Sequence, residues 1–192
     1  MTRFFYLIPF SICILLSFCK QVESKVSDQV DIKKLNTSVL QDSFLVNLWH
    51  EDQANRDGTG YNIIQQFGYD SKQYKSFRRQ AMKNDSAIYA RLLQYLELYG
   101  YPDSPSEFSE LALNSFVSIT GHQGNITKQL KAFPSLARAF KDGRMSDDDF
   151  VHLLGEMYQS SHRGQLYDMP KSRFTVKEEI DSLLSALNLE LP

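Results

Sequence analysis

The chain has 192 residues, 42% of them hydrophobic and 23% charged, which supplies a core for one domain and excludes a globally disordered chain. Its formal net charge of -2 excludes general nucleic-acid binding, which depends on a concentrated basic surface. Its two cysteines, Cys13 and Cys19, stand near the N-terminus, so a disulfide framework, a cysteine nucleophile and a thiolate metal site are excluded from everything after them.

Arg3 precedes an apolar run over 4–18, broken only by Pro9, Ser11 and Ser17. One positive charge before a short apolar core reads as a secretory signal, and the run falls short of the ~20 apolar residues of a comfortable membrane span. Leu16-Ser17-Phe18-Cys19 resembles the lipobox of bacterial lipoproteins, in which the cysteine is diacylated and becomes the first residue of the mature chain. Leu16 and Ser17 fit that pattern, while Phe18 stands where a small residue is usual. The resemblance implies Cys19 as a lipidation site, the membrane as a partner through that acyl anchor, and a place in the bacterial cell envelope, on the periplasmic or surface side of a membrane. Residues 20–35 are polar and without periodicity and read as a tether; 36–192 read as a single helical domain.

A first helix is predicted over 37–55, with Leu40, Phe44, Leu45, Leu48 and Trp49 on one stripe. The stretch 57–70 holds Gly58, Gly60 and Gly68 and reads as a loop. Ser71 caps a short helix carrying Tyr74 and Phe77. A separate helix over 85–99 aligns Ile88, Leu92, Tyr95, Leu96 and Tyr99, and Gly100-Tyr101-Pro102 stops it. Ser104, Pro105 and Glu107 have the form of a capping box opening a helix that runs to about 120. A helical stretch over 126–140 is interrupted near Pro134. Ser146 caps a helix with Asp147, Asp148 and Asp149 in its first turn, where negative charge suits the dipole, and its stripe is Phe150, Leu153, Leu154, Met157 and Tyr158. Thr175 and Glu178 form a second capping box, before Val176, Ile180, Leu183, Leu184 and Leu187. With no alternating strand pattern, the reading is an all-α, small bundle-like domain of about five to seven helices.

Helical geometry sorts the histidines. His50 and His152 fall opposite their stripes and read as solvated, and His162 lies in the polar stretch 160–164. Glu51 and Asp52 land on or beside the stripe of the first helix, with Arg56 at i+4 from Asp52. A carboxylate facing a core must be paired, so Asp52 with Arg56 is either a buried structural pair or part of a site. His122 closes an apolar helix and reads first as a hydrogen-bonding helix-end residue, with a general base as the sharper reading. The run 140–150 looks like half of an EF-hand, but that alignment puts Arg138 and Phe140 at the first and third ligand positions, which supplies no ligand oxygen. No metal site and no cofactor is expected. Lys75, Arg78, Arg79 and Lys83 form a basic cluster, by default a solvated face and more sharply a contact for anionic lipid or cell-wall polymer.

Glu51-Asp52-Gln53 with Arg56, Asp85 with Arg91-Leu92 and Gly100-Tyr101-Pro102, His122, and Gly164-Gln165-Leu166-Tyr167 together resemble the bacterial domain-of-unknown-function family 6624 over 45–167. The chain departs from the family pattern at Glu156-Met157 and at Asp168-Met169-Pro170. The resemblance implies a helical domain and no known reaction. It also implies that Asp52, Gln53, Arg56, His122, Gln165 and Tyr167 converge on one polar pocket between helices. The expected function is an envelope-anchored binding or interaction module for an envelope protein or small ligand. The alternative is a hydrolase or transferase with His122 as general base and Asp52 or Glu51 as orienter or acid.

Overall fold

The structure is a computed structural model that describes residues 31–54, 56–162 and 175–192. Cys19, Gln165 and Tyr167 therefore lie outside the described residues. The described residues form one compact unit beginning at Asp31, all-α and without a strand. Seven helices of nine residues or more and one single turn make it up: α1 (Ser38–Ala54), α2 (Thr59–Phe67), α3 (Lys72–Tyr99), α4 (Glu110–Gly121), the single turn α5 (Ile126–Gln129), α6 (Phe133–Lys141), α7 (Asp147–Ser161) and α8 (Val176–Leu187). Two 3-10 turns, Ile32–Lys34 and Pro105–Glu107, complete the order. None of the helices among the described residues is long and apolar enough to cross a membrane.

The packing is a series. α1 lies on α4, α4 on α7 and α7 on α8, with α3 flanking α1 and α4 and α2 lying on α3. Stripes at helical spacing make this possible: Phe44, Leu45 and Leu48 of α1, Leu92, Tyr95 and Leu96 of α3, and Phe150, Leu153, Leu154 and Met157 of α7 are all buried. Tyr95 sits at the centre of the first half. Its ring stacks on Phe44 at 5.9 Å and its hydroxyl donates to Gln41 Oε1 at 2.9 Å, so the phenol's polar end is satisfied inside the core.

The caps at Ser71, Ser146 and Thr175 hold, each side-chain oxygen accepting from the N–H three residues on, and Thr175 with Glu178 completes a reciprocal box. The helical stretch is interrupted near Pro134 as expected, at 130–132 between α5 and α6, and Pro134 itself sits in the first turn of α6, where its missing N–H costs nothing.

Several expectations are corrected. The stretch 57–70 contains α2, because its glycines flank the helix: Gly58 precedes it at φ 90° and Gly68 ends it at φ 86°. Gly60 lies inside, where a Cβ would come within 2.7 Å of the Phe77 ring of α3. At the turn into α2, hydrogen bonds from the Thr59 side chain and N–H hold the Asp57 carboxyl below its ordinary range. The two helices expected after Ser71 are one, since nothing between Lys72 and Tyr99 breaks the backbone pattern. Ser104 caps nothing with its side chain; the chain makes one 3-10 turn there, and α4 starts at Ser109, whose hydroxyl accepts from Ala112 and whose own N–H donates to Asp42. The stretch read as tether ends earlier, with Ile32 and Leu35 buried in the core. Leu40 is 46% exposed, one turn before the stripe of α1 meets its partners.

Candidate functional site

Asp52 stands one turn beyond Leu48 on the buried stripe of α1 and is 1% exposed. Its carboxylate is surrounded by donors. His122 Nδ1 lies 2.8 Å from Oδ2 and 3.1 Å from Oδ1. Arg56 Nη1 is 3.1 Å from Oδ1 and also donates to the Asp52 carbonyl at 2.6 Å. Gln53 Nε2 donates to Oδ2 at 2.9 Å. A carboxylate taken out of water is tolerated only with such compensation.

Arg56 reaches further. Both of its terminal nitrogens lie 3.4 Å from the Asp85 carboxylate of α3, so one guanidinium ties the end of α1 to α3. Beside it Arg91 of α3 forks Glu51, Nη1 donating to Oε1 at 3.1 Å and Nη2 donating to Oε2.

His122 is the C-cap of α4 and donates its backbone N–H to Ser118. The end of α4 is brought close to α7 by Gly121, where a Cβ would lie 3.0 Å from Glu156 Cγ. Gln129, fully buried, donates to the Gly121 carbonyl at 3.0 Å, and Gln123 donates to the carbonyls of Ile119 and Asp85. Thr120 Oγ1 and Gln129 Oε1 are buried without a hydrogen-bond partner among the described residues. Because an ionised carboxylate only accepts, the proton between His122 and Asp52 is on Nδ1. Nε2 has no hydrogen-bond partner among the described residues. The side chain is 29% exposed, so solvent reaches it.

Of the expected set, Asp52, Gln53, Arg56 and His122 meet at one point. Glu51 does not join them: its carboxylate is taken by Arg91 and makes no hydrogen bond to His122. Asp85 and Arg91 join this network without belonging to the expected set, and both stand in the short stretches quoted for the resemblance. His50 and His152 are exposed, as their position opposite the stripes requires. His162 is half-buried instead, its ring stacked on Tyr158 at 3.8 Å and its Nδ1 2.6 Å from Ser161 Oγ. Among the described residues no group of three or more His, Cys, Asp or Glu side chains is placed to hold a metal. No family model, curated protein or solved structure matches this chain.

Proposed function

We propose that this is a lipid-anchored envelope protein whose Asp52–His122 pair is the general-base dyad of a hydrolase or transferase. The observation that carries the reading is the pairing of a nearly inaccessible carboxylate with one ring nitrogen of a solvent-reachable histidine. In such a dyad Nε2 takes the proton of a water or hydroxyl as that oxygen attacks an electrophilic centre, and later returns it to the leaving group. Asp52 keeps the ring in the tautomer with Nε2 free and offsets the imidazolium that forms, while Arg56 and Gln53 keep Asp52 in place.

The test is turnover by the full chain on ester, amide and phosphodiester substrates of envelope type. His122→Gln should lower the rate by about 10²–10⁴-fold while the fold is retained. Equal rates for wild type and variant would end the enzyme reading. A second reading, an interaction module for an envelope protein or small ligand, draws on a different observation: Asp52, Gln53 and Arg56 spend their hydrogen-bonding groups on one another and on Asp85. It expects no turnover and a change in partner affinity on substitution of His122. The anchor is tested by mass spectrometry of the mature N-terminus, with two acyl chains on Cys19 expected and Cys19→Ala abolishing them.

A further inference from the structure

The stretch between Arg56 and Asp85 has a feature that core packing does not explain. From 57 to 84 no residue is buried; the first buried residue of α3 is Ile88. This arm, α2 with the first half of α3, holds Lys72, Lys75, Arg78, Arg79 and Lys83 against Asp57 and Asp70, five basic and two acidic side chains, in a chain of net charge -2. The arm is thus +3 and the remainder -5. At 100° per residue the five cations and Met82 occupy an arc of about 140° on α3. The opposite side of the helix carries Phe77, which packs over Gly60 of α2. All six residues of the arc are exposed, Met82 at 60%. Only Lys75 has an ion pair among the described residues, a 3.5 Å contact with the exposed Asp70.

The direction of this pattern is against the helix. Lys72 and Lys75 stand in the first turn of α3, with no acidic residue there, and Glu97 stands in the last turn, with no basic one. The macrodipole favours the reverse at both ends. A charge order that opposes helix stability has its reason outside the helix. We propose that this basic face docks on an anionic phospholipid bilayer. Charge complementarity supplies the attraction, and Met82 amid the cations, with the exposed Tyr61 and Tyr69 of the same arm, supplies apolar and aromatic groups suited to the interface rather than to a soluble polyanion. The docking needs no acyl chain; an anchor only raises the local concentration of the face at the surface.

The experiment is lysine acetylation footprinting, read by mass spectrometry, of the full chain reconstituted in vesicles of phosphatidylcholine alone or with phosphatidylglycerol. Lys72, Lys75 and Lys83 should be protected only with the anionic lipid and exposed again at 0.5 M salt, while Lys131 and Lys177 react equally throughout. Each charge removed should weaken docking about fivefold, so Lys75→Glu/Arg79→Glu/Lys83→Glu should abolish the protection of Lys72, the reporter that this variant keeps. The same triple variant should keep its fold, because all three side chains are exposed and outside the core, and its melting curve separates lost docking from lost folding. Protection that is equal in both lipids, or absent in both, overturns the proposal, and so does equal protection by a soluble polyanion such as polyglutamate.

Discussion

Asp52 gathers donors from its own helix, from the turn after it and from the end of α4, and the two sides of the pair with His122 are unequal. Asp52 is shut away, whereas His122 is partly open to solvent. Removing the carboxylate leaves Arg56 and His122 facing a gap in the core, so Asp52→Ala should lower stability by about 3 kcal/mol in urea unfolding. His122→Gln leaves a group that still hydrogen-bonds and should cost about 1 kcal/mol or less. Activity should not follow that order, both variants falling to a similarly low rate if the pair works as a unit. A merely structural pair would instead show loss of function in proportion to loss of stability. The pairing of Asp52 with Arg56 is legible from spacing alone, because i and i+4 share a helix face. Its pairing with His122, seventy residues on, is not, because no local rule relates the end of α4 to the end of α1.

Helix ends decide where the polar groups of the site sit, and they are tested one cap at a time. Ser109 accepts from Ala112 while Ser104 makes no side-chain cap bond. Ser109→Ala should therefore cost about 1 kcal/mol, and Ser104→Ala within about 0.5 kcal/mol of nothing, by thermal or urea melts. As a motif Ser104 is the stronger, with Glu107 three residues on where Ser109 has Ala112; what favours the later start is Asp42 of α1, which accepts from the Ser109 N–H. At the other end of α4, Gly121 lies against Glu156 of α7. Gly121→Ala gains about 1 kcal/mol of helix propensity but forces the contact apart at a cost of about 1–3 kcal/mol. The expected net is a loss of up to about 2 kcal/mol, with the pose of His122 disturbed and activity reduced more than stability.

For the whole molecule, the core is rich in phenols, and they tie its stability to pH. Burial pushes Tyr89 and Tyr101 up from 10.0 to about 12, with Asp149 adding to the rise at Tyr101, and burial followed by the neighbouring Tyr99 raises Tyr95. Each phenol stays neutral in the folded chain to a higher pH than in the unfolded one. Their contribution is complete below 10.0 and is lost as pH rises from there through about 12. Unfolding followed at pH 9 to 12, with phenolate absorbance near 295 nm, should show stability falling across that window and a late, cooperative ionisation of these tyrosines.

The sequence by itself determined that the domain is all-α, where most helices start and stop, and which stripes are buried, since period, caps and glycines act within a turn or two of chain. It placed Asp52 on a buried face and Arg56 beside it for the same reason. It misread 57–70 because glycine weakens a helix only inside it, and whether Gly58 and Gly68 flank or break depends on α3, which α2 packs against. Only the tertiary structure decided that His122 meets Asp52, that Arg56 bridges to Asp85, and that Glu51 is taken by Arg91. Those contacts join residues tens of positions apart, and they follow from the order in which α1, α3 and α4 stack rather than from any spacing within one of them.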